Sequence, residues 1–308
     1  MKFKKLYIIF LVFVFAAAIA NAQSSYTSSQ WSRYKTSQNI AYAGYYDYLT
    51  AGLLHKSQWV GWDNAPTWQE LEIQSPLKSA SNAISVTYNM ENYPTRNKTQ
   101  RVKLGYTYII KMSNFKTAFG LGMGVNYHTN NVIDIRDAGD PAFSNEKQSY
   151  IIPQATFGVA FYNKKFHAGL SIPEFFGAKL SDGGDYTPDM DFNDLLFKIT
   201  GGYNYKLGLG GVNADLSSDM LLSYSSSFMQ VDVNTIATIN NSIIAGLGYR
   251  LQDAAYVVLG YKINRQFSVA YSYDYNYGLR EVNVTGSHII GIIYDLNYIV
   301  KTANPRPF

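Results

Sequence analysis

The side chains best suited to acid–base work are four histidines, His55, His128, His167 and His288, spread along the chain without any H-E-x-x-H pairing. A Ser–His–acid set assembles in space and leaves no trace in spacing, but no local signature nominates one, so no catalytic residue is expected. Asp182, Asp185, Asp189, Asp191 and Asp194 offer hard oxygen ligands in a glycine-containing stretch. Their spacing is not that of an EF-hand loop, and they read as a solvated loop with no metal. Gly120-x-Gly122-x-Gly124 has the look of a phosphate-binding loop. A nucleotide site needs a helix after the glycines, to point its N-terminus at the phosphate. None follows here, and no cofactor is expected.

The glycines instead belong to an alternation. From Thr117 to Tyr127, Phe119, Leu121, Met123, Val125 and Tyr127 alternate with Ala118, Gly120, Gly122, Gly124 and Asn126. A period of two puts the two sets on opposite faces of a strand. Gln266–Tyr277 repeats the pattern, with Phe267, Val269, Tyr271, Tyr273, Tyr275 and Tyr277 against Ser268, Ala270, Ser272, Asp274 and Asn276. One face is oily and the other small or polar, which suits lipid outside and a packed or wet lumen inside.

The N-terminus reads as a secretory leader over residues 1–22. Lys2, Lys4 and Lys5 precede an apolar run from Leu6 to Ile19 and an Ala20-Asn21-Ala22 processing site. No later stretch approaches the roughly 18 apolar residues of a spanning helix. A mature chain that crosses a bilayer must therefore do so as a closed barrel, the one strand arrangement that pairs every backbone group in hydrocarbon. The formal charge of +4 includes three leader lysines and no leader acids, so the mature chain carries +1, which removes the main support for nucleic-acid binding. Cysteine is absent, and the fold must hold by strand pairing and packing. Twenty-seven tyrosines and 24 glycines match aromatic girdles and a lumen of small residues.

The expected architecture is all-β: a single antiparallel transmembrane β-barrel of about 14 strands over residues 49–300. An N-terminal arm or plug (23–48) precedes it and a short tail (301–308) follows it. Candidate strands include Leu49–Trp59, Thr67–Gln74, Ala80–Glu91, Gln100–Lys111, Ser149–Asn163 and Lys165–Ile172, with seven more from Asp194 to Tyr298. Strands of about ten residues favour a membrane barrel over a soluble sandwich. Long connections at His128–Lys147 and Pro173–Asp191 contrast with short turns such as Asn163-Lys164 and are assigned to the extracellular side. Trp59, Trp62 and Trp68 read as interfacial rings or loop packing, with partner contact as the alternative.

Several motifs carry a resemblance. Asn39-Ile40-Ala41-Tyr42-Ala43-Gly44 resembles an N-P-A-x-A-G opening, with Ile40 at the proline. Gln58-Trp59-Val60-Gly61 and Ala65-Pro66-Thr67 resemble a Q-W-x-G…A-P-x-T block. Gly286-Ser287-His288-Ile289-Ile290-Gly291 is similar to a G-S-H-E-I last strand, with Ile289 in place of the acid, and the chain ends on Pro305-Arg306-Pro307-Phe308, like S-P-R-Y-F. In this order they resemble the PorP/SprF family of Bacteroidetes type IX secretion membrane proteins.

The resemblance implies a non-enzymatic outer-membrane barrel that serves secretion or gliding, as partner or surface anchor for a secreted adhesin or a secretion component. Its partners would be outer-membrane lipid and those proteins. The motif residues Asn39, Ala43, Gly44, Gln58, Trp59, Gly61, Ala65, Pro66, Ser287, His288, Pro305, Arg306 and Phe308 become candidate partner-binding or structural positions. On this reading the long loops face the secreted partner, while arm and tail face periplasmic machinery. The alternative is a transport barrel of the fatty-acid-channel type, which also carries an arm in its lumen.

Overall fold

The computed structural model describes residues 27–78, 81–94, 97–130, 148–180, 186–209, 211–277 and 285–297. The leader and the tail motif Pro305, Arg306 and Phe308 lie outside these residues, as do Asp182, Asp185 and most of the His128–Lys147 loop.

Fourteen strands close into one antiparallel barrel. In chain order they are β1 (Leu49–Ser57), β2 (Thr67–Pro76), β3 (Asn82–Tyr93), β4 (Asn97–Lys111), β5 (Lys116–Asn130), β6 (Gln148–Tyr162) and β7 (Phe166–Ile172). A small hairpin, β8 (Gly177–Leu180) with β9 (Tyr186–Asp189), stands apart from the barrel within the connection read from sequence as a plain loop. The barrel resumes with β10 (Phe197–Leu209), β11 (Val212–Tyr224), β12 (Met229–Ile239), β13 (Ile243–Arg250), β14 (Ala254–Lys262), β15 (Phe267–Asn276) and β16 (Ser287–Leu296). Closure comes from β1 against β16, from Leu49↔Leu296 to Ser57↔His288. It removes the free edge, so ladder bonds run around the whole wall.

The alternation sorts the faces as hydrocarbon demands. On β5, Leu121 and Met123 are 63% and 72% exposed, while Ala118, Gly120 and Asn126 are buried. On β15, Tyr271 and Tyr275 face out while Ser272 and Asp274 are fully enclosed. The exposed rings form two levels. Tyr108, Phe166, Tyr205, Tyr261 and Phe267 lie toward the short-turn end, and Tyr127, Tyr224, Tyr249 and Tyr275 toward the other. Leu121, Met123, Leu247 and Leu259 occupy the band between. Amphipathic rings flanking an aliphatic band are the signature of a bilayer-spanning barrel.

The two ends differ. Six of the hairpin connections, β2–β3 through β14–β15, are short turns at the end where β1 starts and β16 finishes. The other end carries the longer connections, among them residues 58–66, 173–196 and 277–286. In outer-membrane barrels the short turns are periplasmic and the long loops extracellular.

Candidate functional site

The lumen is occupied by the chain's own N-terminal segment. Thr27–Tyr48 runs through the barrel as two 3-10 turns, Trp31–Arg33 and Ile40–Tyr42, on either side of a single helical turn, α1 (Lys35–Gln38). It begins toward the long-loop half, where the Thr27 carbonyl accepts from Lys56 Nζ at 3.3 Å. It ends at the short-turn mouth, where Asp47 pairs with Lys116 at 3.0 Å and β1 begins. A segment this short cannot build its own core. The wall supplies one.

Toward β11–β16 the wall holds the arm by charge and hydrogen bonds. Trp31 Nε1 donates to Asp232 Oδ1 at 2.8 Å, and the Tyr256 hydroxyl donates to the same oxygen. Arg250 Nε meets Asp232 Oδ2 at 2.9 Å, while its Nη1 meets Asp253 at 3.0 Å and Asp274 at 3.5 Å. Arg250, Asp232 and Asp274 are each at most 1% exposed. Such burial is tolerable only because each charge meets an opposite one with directed bonds. At the start of α1, Lys35 Nζ binds Asp219 at 2.9 Å beside His167 Nε2 at 3.2 Å. Gln30 Nε2 donates to the Ala270 carbonyl at 3.2 Å, and Arg33 Nη2 to Ser268 Oγ at 3.0 Å.

Toward β4–β7 the same arm is held by shape. Ile40 lies against Gly105, Gly120 and Gly122, where a Cβ would come within 2.6 Å of its side chain. Gly120 and Gly122 on the inner face of β5 are therefore a seat for the plug. Asn39 Oδ1 accepts from Ala41 N at 2.9 Å, capping the second 3-10 turn, while its Nδ2 donates to the carbonyls of Val159 at 3.0 Å and Leu170 at 3.2 Å. Gly158 and Gly169 leave space for that amide. Ala43 is completely enclosed. Gly44 is required twice over: its φ is +79°, and a side chain there would strike Ala83 and Ile109.

The other motif residues within the described part of the chain assemble elsewhere. Gln58, Trp59, Gly61, Ala65 and Pro66 form the β1–β2 loop, and Ser287 and His288 open β16, so blocks far apart in sequence meet where the barrel closes. Trp59 N donates to Ser287 Oγ at 3.1 Å, Val60 N to Gly286 O at 2.8 Å, and Thr285 N to Val60 O at 2.8 Å. Gln58 N donates to Pro66 O at 3.0 Å, closing the loop on itself. Its path needs left-handed backbone at Trp59 (φ 49°), Gly61 (φ 101°) and Asn64 (φ 61°). Trp59 stacks on Trp62 at 5.5 Å. Trp68 departs from the belt reading, since it points into the lumen and is buried. His288 bonds the Tyr271 hydroxyl at 2.7 Å.

The described motifs thus divide into a contact between arm and wall (Asn39, Ala43, Gly44) and a seam at the long-loop end. Sequence reasoning missed the network of Trp31, Asp232, Arg250 and Asp274. Its signal was charge recurring on the inward face of strands otherwise lined by small residues. The histidines do not converge: His55 meets Ser57, His128 meets Thr99 and His167 meets Asp219, each in a separate place. Among the described residues no group of three or more His, Cys, Asp or Glu is placed to hold a metal.

The long-loop end is drawn inward at Pro173–Phe176. Glu174 reaches Arg101 Nε at 3.0 Å, Lys103 Nζ at 3.2 Å and Asn126 Nδ2 at 3.1 Å, and Arg101 also pairs with Glu91 at 2.7 Å. Burial alone would raise the Glu174 carboxyl, but Lys103 and Arg101 hold it down to about 2.

A sequence model of the family described as type IX secretion system membrane protein PorP/SprF matches residues 20–294. The chain belongs to that family. With the closed barrel, this places it among the outer-membrane β-barrels of type IX secretion. No curated protein matches this PorP/SprF chain significantly. Solved structures similar to it include the P. putida toluene transporter TodX, with 10% identity and a TM-score of 0.48, over 84% of this chain and 93% of that one. The CymD monoaromatic hydrocarbon channel shares 11% identity at a TM-score of 0.46, over 90% and 95%. The Acinetobacter baumannii protein Omp33 shares 8% at 0.43, over 82% and 98%. These likenesses concern the barrel as a fold.

Proposed function

We propose that this PorP/SprF barrel is a non-enzymatic partner of type IX secretion: a closed outer-membrane platform that holds a secreted adhesin or a secretion component at its long-loop end. The observation that carries this reading is the arm. Thr27–Tyr48 crosses the lumen and separates a cavity of about 320 Å³ on the long-loop side from one of about 800 Å³ on the short-turn side. Ser37 and Gln38 line the first and Lys35 the second, and the two linings share no residue. A plug tied by buried ion pairs and by fitted glycines suits a platform better than a path for solute.

The seam then becomes the contact surface. Trp62 is 46% exposed at its tip, and the loop is braced by its bonds to Gly286 and Ser287. A rigid, partly exposed aromatic on a braced loop is the usual anchor of a protein interface. The test pairs co-purification with conductance. Detergent-solubilised outer membrane should yield the barrel with a secreted or secretion-machinery protein, lost in Trp62→Ala, and the purified barrel should conduct little in planar bilayers. Recovery without any such protein, together with steady open-channel currents, would overturn the reading in favour of a transport channel.

A further inference from the structure

The cavity at the short-turn mouth carries an excess of cationic side chains that the cavity beyond the arm lacks. Its lining holds six cationic side chains, among them Lys164, Lys165, Lys206 and Lys262, against three carboxylates. Two of those carboxylates are engaged, Asp219 by Lys35 at 2.9 Å and Asp215 by Lys206 at 3.4 Å. Lys262 reaches a neutral partner, Asn241 Oδ1, at 3.4 Å. Lys164 and Lys165 stand exposed on the turn between β6 and β7. The cavity beyond the arm is the internal control: Arg101, Lys103 and Lys198 there face Glu70, Glu91 and Glu174, an even balance.

The floor differs as well. Tyr45, Tyr46 and Tyr48 close the short-turn cavity from the arm side, Tyr45 edge-on to Tyr46 at 5.0 Å and Tyr46 stacked on Tyr48 at 5.6 Å. A cationic rim over a floor of phenol rings offers long-range attraction to a polyanion, then apolar contact and hydroxyl groups once it has entered. We propose that this mouth is a docking site for an acidic, extended peptide segment presented by a soluble protein on the short-turn side. Lys206 and Lys262 lie on the inward face of their strands, in step with Asn204 on β10 and Gly260 on β14, so they rim the lumen. A lipid headgroup, confined to the outside of the wall, does not reach that position. A cavity of about 800 Å³ admits a few residues of extended chain and excludes a folded domain.

The proposal concerns the mouth opposite the seam and stands independently of what the seam binds. Its test uses the full chain in nanodiscs and fluorescein-labelled hexaglutamate, read by fluorescence polarisation, with hexalysine and inorganic phosphate as competitors. Hexaglutamate should bind and weaken as salt is raised, because screening acts directly on exposed charges. The triple variant K164Q/K165Q/K262Q should bind it about tenfold more weakly, each charge removed contributing a factor of about two. Lys98→Gln, at the opposite end, should bind as the parent does, and an unchanged melting temperature of the triple variant separates lost binding from lost fold.

Hexaglutamate binding equal in parent and triple variant would overturn the proposal. Displacement by phosphate at matched total charge would overturn it too, because the site would then recognise a simple anion. Lost binding in vesicles rich in anionic lipid, recovered in zwitterionic nanodiscs, would assign the lysines to the lipid and do the same.

Discussion

The arm is held by two walls that solve one problem differently. Against β4–β7 it fits by removal of side chains: Gly105, Gly120, Gly122, Gly158 and Gly169 open the room that Ile40 and Asn39 fill. Against β11–β16 it is held by addition, with Trp31, Lys35 and Gln30 reaching Asp232, Asp219 and the Ala270 carbonyl. The shape-fitted wall gains mostly from packing and one fully used amide. The charged wall contributes less than its number of bonds suggests, since burying those ions offsets much of their attraction. It is nonetheless the more fragile, because removing a single partner strands the others. A packed wall sets where the plug sits, and an ionic wall sets which plug is accepted.

Removing the central cation should have the largest effect. Arg250→Ala leaves Asp232, Asp253 and Asp274 without it, and loss of one member of a buried ion network costs about 3–5 kcal/mol. Thermal unfolding in detergent should shift sharply downward. Arg250→Lys should recover only part of the loss, because an ammonium cannot reproduce the directed fork of a guanidinium. An unchanged melting temperature in the alanine variant would remove the charged wall from the comparison.

Gly120→Val should come next, at about 1–3 kcal/mol for overpacking. Its new Cβ would lie 2.6 Å from Ile40 Cγ2 and 2.7 Å from Ala41 N, so something must move. The arm is the more movable party, since the strand is fixed by its ladder. The expected signature is therefore a barrel that stays folded but begins to conduct. A barrel that neither destabilises nor conducts would show that the glycines serve another purpose. Asn39→Ala tests the same wall more gently. It removes the side-chain amide that donates to the carbonyls of Val159 and Leu170 and uncaps the turn, a loss of about 1–3 kcal/mol with intermittent rather than steady current.

The walls also differ in how far they can be read from the chain. The barrel itself is legible, since the period-two alternation at Thr117–Tyr127 and Gln266–Tyr277 is enough to assign lipid and lumen faces. The glycine face of β5 is legible as a small face. That it seats Ile40 is not, because a seat and its occupant are some 80 residues apart and neither has a period that points to the other. The hairpin β8–β9 reads as loop, being two four-residue strands too short for alternation to register. Trp31 and its partners leave only isolated charges on polar faces, each indistinguishable from a solvated lumen residue until the register of β12, β13 and β15 brings Asp232, Arg250 and Asp274 together. The seam motifs can be seen as two blocks. That they touch follows from closure of β1 on β16, which is a property of strand number and shear.

The smallest effect should come from the inward-folded loop, and it can be read against pH. Folded Glu174 has its carboxyl at about 2, below the ordinary 4.5, so the folded form binds its proton less readily than the unfolded chain does. Its contribution is therefore complete above about pH 4.5 and declines as the pH falls from there toward 2. The amide of Phe176 donates to Gln154 Oε1 at 3.2 Å, two residues beyond the charge, and reports whether the loop is seated. Its protection from hydrogen exchange, corrected for intrinsic rate, should fall through that window, while the amide of Ala41, capped by neutral Asn39, should keep its own. Glu174→Gln should show the lowered protection already at neutral pH and lose the acid-dependent step. If Phe176 stays protected to pH 2, or the glutamine variant keeps the step, the loop is held by Gln154 and Thr156, whose bonds to Phe176 and Pro173 involve no charge. The long-loop end would then be closed by neutral fit, as the glycine wall is.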